Sequence, residues 1–184
     1  MHQDAQIQSI LNKMHTMFDG AVGPNNRAEY MRMKNVSGID WHFSLTAEDI
    51  INQKIPRMVA GCTGIAKVFC KYATDAGLNF FVLTTARVAD LAGAADDHAA
   101  GNAERIINGH QIIAVRDENG KLRAFDPGLQ ELRYIKPDIY VGSIVKFRFD
   151  DVIPHVITAI LTPAEYNKID TYKKLRDLYV NGKK

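Results

Sequence analysis

The sequence has little of what marks several large classes of protein. Its 23 basic and 21 acidic residues leave a formal net charge of only +2, and no basic stripe interleaves with aromatic residues, so we expect no nucleic-acid partner. No apolar run reaches the length of about 18 residues that a transmembrane helix needs, so we expect no membrane partner. With only two cysteines, the chain cannot depend on a disulfide scaffold.

The beginning of the chain lacks the pattern of a secretion signal. The segment MHQDAQIQSILNKMHTMF carries acidic and amide side chains where such a signal needs an apolar run. Because the chain is also poor in cysteine, we expect a reducing, cytoplasmic location. Secretion stays open for the cases in which a leader has been removed from a longer sequence or the protein uses a non-classical export route.

The composition that is present indicates one globular domain. The sequence has 46% hydrophobic and 24% charged residues, as soluble globular proteins do, and 184 residues can bury roughly 70% of the surface of the unfolded chain. We therefore expect a single domain over residues 1–184. Its parts are a helical segment at about 1–58, a core at about 59–162 and a C-terminal helix at about 163–180.

The spacing of apolar residues predicts helices in the first part of the chain. Residues 3–18 carry apolar side chains at helical spacing. A short helix follows Thr46, whose spacing to Asp49 resembles a capping box. A third helical pattern runs from Thr63 to a natural stop at Gly77.

Patterns typical of strands crowd into the second half of the chain. Between the first two of these patterns, residues 89–108 are rich in Ala, Gly, Asp and Asn and predict a long, partly helical connection. Thr162-Pro163 then opens one final helix, with proline at its first position. This order of helices, mostly antiparallel strands and a last helix predicts an α+β fold. The predicted strands are the apolar runs at residues 80–83, 110–115, 121–126, 143–149 and 155–161.

One of the two cysteines lies at the start of a predicted helix. In the segment AGCTGIA, at residues 60–66, Cys62 stands between glycines that allow a substrate to approach closely. A helix N-terminus also lowers the pKa of a thiol and so favours the reactive thiolate. Cys70 lies deeper in the same helix, where core packing accounts for it. We therefore predict that Cys62 is a nucleophile.

A predicted hairpin brings a histidine and an aspartate together. The Asn-Gly pair favours a three-residue loop at 118–120 with glycine in the left-handed region, which pairs Asp117 with Lys121. In that register His110 and Asp126 lie on the same face of the sheet, one diagonal step apart. A loop of two or four residues would place them on opposite faces.

Cys62, His110 and Asp126 are the three residue types that nucleophilic catalysis by cysteine requires. The thiol needs a base, and the imidazole of that base needs a carboxylate to fix its tautomer and stabilise its charge. Each residue alone has an ordinary structural explanation, as a core cysteine, a strand histidine or an aspartate in a turn. Their joint occurrence in this order favours a catalytic group.

Other polar groups are assigned to structure. The run Asp96-Asp97-His98 has too few oxygen donors at defined spacing for a metal site, so we expect a solvated loop and neither a metal nor a cofactor. As an alternative base, His98 lacks a carboxylate on a neighbouring strand. His155 begins a strand and is assigned a structural role.

Two segments resemble the core of the transglutaminase-like superfamily. The first, AGCTGIAKVFCKYATDAGLNFFVLT, is similar to its nucleophile helix and following strand. The second, NGHQIIAVRDENGKLRAFDPG, is similar to the strand that begins with histidine and the strand closed by Asp-Pro. The sequence differs from the family at Gln111-Ile112, where an aromatic residue usually follows the histidine, and it lacks the usual glycine in LTTARVAD. The resemblance covers residues 60–128.

The resemblance implies a papain-like fold, with the nucleophile helix packed on an antiparallel sheet, and a Cys62/His110/Asp126 triad. The implied activity is cysteine-dependent amide hydrolysis through a thioester, by a peptidase or a protein glutamine deamidase acting on a protein or peptide. A transglutaminase or other acyltransferase is one alternative, and a non-catalytic binding module of the same fold is another. The resemblance also leaves open that the protein is a bacterial effector that modifies a host protein.

The resemblance also bears on the oxyanion and on the product. The backbone N–H of Cys62 would bind the oxyanion with a second donor, for which similar folds point to Gln53, or to Trp41 as its alternative. Dedicated transglutaminases surround the thioester with aromatic walls. Because this chain has one tryptophan and has Gln111-Ile112 after the histidine, we expect hydrolysis rather than cross-linking.

Overall fold

Helices precede and follow one antiparallel sheet in the computed structural model of the chain, which describes residues 2–102, 105–135, 138–149 and 151–182. Within these residues the helices are α1 (Gln3–Asp19), α2 (Arg27–Lys34), α3 (Ile39–Ser44), α4 (Ala47–Asn52), α5 (Arg57–Asp75), α6 (Val88–Ala99), α7 (Pro163–Tyr166) and α8 (Tyr172–Asn181). The strands are β1 (Phe81–Arg87), β2 (Gly109–Arg116), β3 (Leu122–Phe125), β4 (Ile144–Phe149) and β5 (Asp151–Leu161). The predicted α+β class is confirmed.

The sheet has the strand order β3-β2-β1-β5-β4, and every neighbouring pair is antiparallel. β1 is the central strand, and its register with β5 shifts between Thr84 and Thr85. Each of the segments 110–115, 121–126, 143–149 and 155–161 coincides with an observed strand, although β2 extends one residue beyond its segment at each end and β5 begins four residues earlier. The central strand extends beyond the predicted 80–83, because its Thr-Thr-Ala-Arg continuation pairs on both sides.

Apolar side chains form a separate core on each face of the sheet. Ile113 belongs to the core shared with the helices, whereas its neighbour Ile112 belongs to the core on the opposite face. This division follows from the two-residue period of a strand. On the helix face, the Phe69 ring of α5 lies 5.5 Å from the Phe125 ring of β3, so α5 packs directly on the sheet.

The sheet curls strongly around the second core. Two strands separate β2 from β4, so in a flat sheet their axes would be about 14 Å apart. The rings of His110 in β2 and Phe147 in β4 nevertheless have centroids only 4.9 Å apart. The face that carries Phe147 therefore closes over the start of β2.

Several predicted helix boundaries are confirmed. α1 matches the predicted 3–18, and both hydrogen bonds of the capping box between Thr46 and Asp49 are present. Gly77 follows α5 with a φ of 71°, the left-handed conformation expected just past a helix end. The connection at 89–108 contains α6, as a partly helical segment should. No helix in the described residues combines the length and apolar character needed to cross a membrane.

The prediction of one final helix at about 163–180 is wrong. The segment contains two helices, α7 and α8, separated by residues 167–171. A second start occurs because the side chain of Thr171 accepts a hydrogen bond from the Lys174 N–H and caps α8. In addition, the backbone N–H of Tyr172 donates to Asp40 Oδ1 at 2.9 Å, which ties the new helix start to α3.

Candidate active site

A glycine sets Cys62 at the start of a new helical segment. Inside α5, Gly61 has a φ of 64° and a ψ of −175°, so the helix breaks there and begins again at Cys62. A β-carbon at Gly61 would lie 2.8 Å from Arg27 Nη2 and 3.2 Å from His42 Cε1. Both the conformation and the crowding require glycine. The backbone N–H of Cys62 thus belongs to a first turn, whose N–H groups have no partner within the helix.

The hairpin joins His110 to Asp126 as its register predicts. Residue 113 pairs with 125, and the loop is closed by the Asp117 N–H donating to the Lys121 carbonyl at 2.9 Å. His110 Nε2 lies 2.8 Å from Asp126 Oδ2, and each of these side chains is more than four-fifths buried. The Gly128 N–H donates to the other carboxylate oxygen of Asp126 at 2.8 Å and fixes its orientation.

A second histidine supports the loop that carries Asp126. His15 in α1 is buried, and its Nε2 lies 3.0 Å from the carbonyl oxygen of Pro127. Arg57 Nη2 lies 3.1 Å from His15 Nδ1 and 2.9 Å from Asp19 Oδ1. A neutral His15 that donates from Nε2 and accepts at Nδ1 satisfies both contacts. The sequence places His15 in a helix but contains no signal for this long-range contact.

Cys62 and His110 form an electrostatic pair. Burial acts to raise the pKa of the Cys62 thiol, but the hydrogen bond and positive charge of His110 outweigh burial and lower it. Burial likewise acts to lower the pKa of His110, but its hydrogen bonds to Asp126 and Cys62 raise it above its usual value. Because Nε2 is engaged by Asp126, Nδ1 is the ring nitrogen left for Cys62. The environment favours a thiolate beside an imidazolium.

Gln111 lies on the opposite face of β2 from His110 and contacts Cys62 from there. Its Oε1 accepts from the Cys62 thiol at 3.1 Å and from the Thr63 hydroxyl at 2.8 Å. Its Nε2 donates to the Tyr179 hydroxyl at 2.7 Å. The sequence distinguishes Gln111 only as a difference from the transglutaminase-like pattern that it resembles. Strand alternation was the available signal, because the residue after His110 must face α5.

The ionisation of Cys62 determines which way the Gln111 amide must point. A thiol donates to Oε1, but a thiolate has no proton to donate and needs the Nε2 group instead. With the amide turned over, Nε2 faces the sulfur and the Thr63 oxygen, while Oε1 accepts from the Tyr179 hydroxyl. The same partners therefore satisfy both orientations. An N–H donor facing the reacting sulfur is one of the groups that could bind an oxyanion.

An aromatic side chain covers His110 from a distant part of the sequence. The rings of Phe147 and His110 meet edge-on at 67°, and the ring of His155 lies 4.9 Å from Phe147. A ring from β4 thus covers His110, although Gln111 and Ile112, which follow it in the sequence, are not aromatic. His155 is buried, and burial is the largest cause of its lowered pKa. Sequence reasoning missed Phe147 because the curl of the sheet has no local signal.

Cys62, His110 and Asp126 line one cleft of about 380 Å³. Exposed apolar side chains at its edge are Met58 and Leu129, and Arg27 and Arg57 also line it. A larger cavity of about 580 Å³ contains Cys70. Cys70 is buried, and burial raises the pKa of its thiol to about 12, so the larger cavity offers no reactive thiolate.

The structure does not bring either predicted second oxyanion donor to this cleft. Gln53 is the exposed residue that ends α4, and it is not among the residues that line the cleft. Trp41 packs instead against the Tyr30 ring, with centroids 6.0 Å apart. Gln111, by contrast, lines the cleft, and its side chain is in contact with the Cys62 sulfur.

The candidate metal ligands do not form a cluster. Asp96, Asp97 and His98 lie in α6 rather than in the expected loop, and Asp97 pairs with Arg105. Among the residues that the structure describes, no group of three or more His, Cys, Asp or Glu side chains could hold a metal ion.

Comparison with known proteins finds no match for the chain among family models, curated proteins or solved structures. The functional argument therefore depends on the residues themselves and on the geometry of the cleft.

Proposed function

We propose that this chain is a cysteine-dependent amide hydrolase of the transglutaminase-like class, acting as a peptidase or a protein glutamine deamidase. One observation carries the proposal: His110 is held by Asp126 at 2.8 Å through Nε2 while it lowers the pKa of the Cys62 thiol. A nucleophile, a base and an orienting carboxylate are the parts of a cysteine triad. The packing of α5, the helix that carries Cys62, on an antiparallel sheet supports the proposal of a papain-like fold.

In the first half of the reaction, the Cys62 thiolate attacks the carbonyl carbon of the substrate amide. The sulfur–carbon bond forms as the carbonyl π electrons move to oxygen. The tetrahedral intermediate collapses when His110 donates the Nδ1 proton to the leaving nitrogen, which departs as ammonia or an amine. Cys62 is left as a thioester, and His110 is left neutral with Asp126 still at Nε2.

In the second half, the neutral His110 takes a proton from water, and the water oxygen attacks the thioester carbonyl. Collapse of the second intermediate breaks the carbon–sulfur bond, releases a carboxylic acid and restores the thiolate beside the imidazolium. The Cys62 N–H and the amide of Gln111 are the donors available to both oxyanions. A well-placed oxyanion donor contributes on the order of 3 kcal/mol.

The edge of the cleft favours water as the second substrate. Met58 and Leu129 have 66% and 47% of their surface exposed, so the groups around Cys62 do not enclose it. The Phe147 ring covers His110 but belongs to the interior core of the sheet. Because a thioester in an open site meets water first, hydrolysis is preferred to amine transfer.

The decisive experiment is mass spectrometry of the intact protein after brief incubation with peptide and glutamine libraries. The expected result is an acyl adduct on Cys62, together with the release of ammonia or a peptide fragment. A Cys62→Ala variant serves as the negative control, and a Cys70→Ala variant should still form the adduct. Absence of any adduct and of any product would contradict the proposed activity.

A further inference from the structure

One positively charged side chain in the cleft is not neutralised. Arg27 begins α2 and is exposed, and it makes no hydrogen bond or ion pair with any residue in the described part of the chain. Arg57, the other arginine of the cleft, is already bound to Asp19 and His15. Since Asp126 is engaged by His110 and Gly128, it is not a partner for Arg27 either.

Arg27 stands beside the residue that precedes the nucleophile. Its Nη2 lies 2.8 Å from the position that a β-carbon of Gly61 would occupy, and Gly61 is covalently joined to Cys62. The absence of a side chain at Gly61 therefore admits the guanidinium to this part of the cleft. His42, on the same side of Gly61, does not compete for an anion, because burial and the charges of Arg27 and Lys67 lower its pKa to about 4.

We propose that this cleft selects acyl donors that carry a carboxylate close to the amide that reacts, and that Arg27 binds this carboxylate. A guanidinium can donate two parallel N–H bonds to a carboxylate, and an arginine without an internal partner has both available. The exposed apolar surfaces of Met58 and Leu129 would contact an apolar neighbour of the acidic group. The part of this inference that concerns acyl donors rests on the proposed function, whereas carboxylate binding beside Cys62 does not.

The first test requires a reactive thiol but no catalysis. Iodoacetate and iodoacetamide alkylate the same sulfur, and only iodoacetate carries a carboxylate. The ratio of their rate constants at Cys62 should fall about 3- to 10-fold in Arg27→Gln and partly recover in Arg27→Lys. Arg32→Gln is the matched control, because Arg32 is an exposed arginine of the same helix outside the cleft. An unchanged ratio in Arg27→Gln would overturn the inference.

The second test uses peptides that differ only in the residue beside a reactive glutamine. Paired glutamate and glutamine neighbours report an acidic side chain, and free and amidated C-termini report a terminal carboxylate. Arg27→Gln should lower kcat/KM about 3- to 10-fold for the carboxylate-bearing peptides alone. Equal losses on charged and neutral peptides would contradict a carboxylate site. An intact iodoacetate preference without turnover of any peptide would support the carboxylate site and contradict the proposed function.

Discussion

The Oδ2 atom of Asp126 lies 2.8 Å from Nε2 of His110, which leaves Nδ1 as the other nitrogen of the ring. In the proposed mechanism, Asp126 therefore stabilises the imidazolium without touching the reacting atoms. The Gly128 N–H holds the other carboxylate oxygen, and His15 holds the following peptide group through the Pro127 carbonyl. The ring orientation of His110 is therefore fixed by contacts that reach back to α1.

One of the two cysteines should be more reactive than an ordinary thiol, and the other should be less reactive. Iodoacetamide should alkylate Cys62 well below pH 8.5, the ordinary range of a thiol, because His110 lowers its pKa. Cys70 should react only after unfolding, since burial raises its pKa to about 12. The check is mass spectrometry of alkylated peptides across a pH series. In His110→Ala the pH profile of Cys62 alkylation should move to higher pH. If Cys62 in the parent protein has the profile of a free thiol, the electrostatic pair of Cys62 and His110 is contradicted.

Substitutions in the triad should not be additive. Cys62→Ala and His110→Ala should each abolish turnover, and the double variant should be little worse than either one. Asp126→Asn should lower activity by on the order of 10² to 10⁴ without abolishing it, because the carboxylate orients the ring rather than reacting. Steady-state kinetics with circular dichroism as the control for folding measures this series. Strictly multiplicative losses would argue against a shared mechanism.

The same Asp126→Asn variant should change the pH profile on its alkaline side. In the proposed mechanism, activity requires the Cys62 thiolate with the His110 imidazolium, so kcat/KM should rise as the thiol ionises and fall as the imidazolium loses its proton. The hydrogen bond that His110 donates to Asp126 is the largest of the effects that raise the pKa of His110. The amide oxygen of asparagine is a weaker acceptor than a carboxylate and carries no negative charge, so the variant lowers that pKa, and the falling limb should therefore move to lower pH. If the alkaline limb does not move, a group other than His110 is responsible for the loss of activity at high pH.

Gln111 should affect both stability and the nucleophile. Gln111→Leu leaves the buried hydroxyls of Thr63 and Tyr179 without this partner and should lower the free energy of unfolding by about 1–3 kcal/mol. Gln111→Glu instead places a negative charge beside the sulfur and should raise the pKa of Cys62. Tyr179→Phe is the matched control, since it removes only the distant hydrogen bond. Denaturant titration measures the change in stability, and the pH profile of alkylation measures the change in the pKa of Cys62. An unshifted profile in Gln111→Glu would show that Gln111 does not influence the Cys62 thiol.

Amine competition should identify the second substrate. With an amide substrate and excess labelled primary amine, we expect released acid to exceed incorporated amine, because the cleft edge at Met58 and Leu129 is open to water. Mass spectrometry of both products gives the partition ratio, and Cys62→Ala provides the background. Predominant amine incorporation at millimolar amine would make the protein a transglutaminase.

The His110–Asp126 contact could be predicted from sequence because its causes are local. The Asn-Gly turn sets the loop length, and the period of a strand then sets the face. The covering of His110 by Phe147 depends instead on the curl of the whole sheet, which no short segment encodes. The second helix start at Thr171 lay within an apolar pattern that one continuous helix also satisfied, and the contact between Tyr172 and Asp40 is long-range.

The oxyanion donors show a different limit of sequence reasoning. The prediction of Gln53 depends on the position of the donor in similar folds, but the turn that ends α4 leaves Gln53 exposed and outside the cleft. Gln111 is adjacent to His110 in the sequence, yet its contact with Cys62 requires α5 to pack on the opposite face of β2. Distances between elements, rather than patterns within them, decide which polar group meets the sulfur.

Because of the hydrogen bond between Gln111 and Tyr179, the surroundings of Cys62 form in an order that follows the synthesis of the chain. A ribosome makes Cys62, His110 and Asp126 before it makes α8. Until residue 179 has emerged, the Gln111 amide lacks one of its three hydrogen-bonding partners, and its orientation toward the sulfur is not yet held from both ends. The growing chain therefore carries a cysteine whose polar surroundings are completed only after residue 179 has been added.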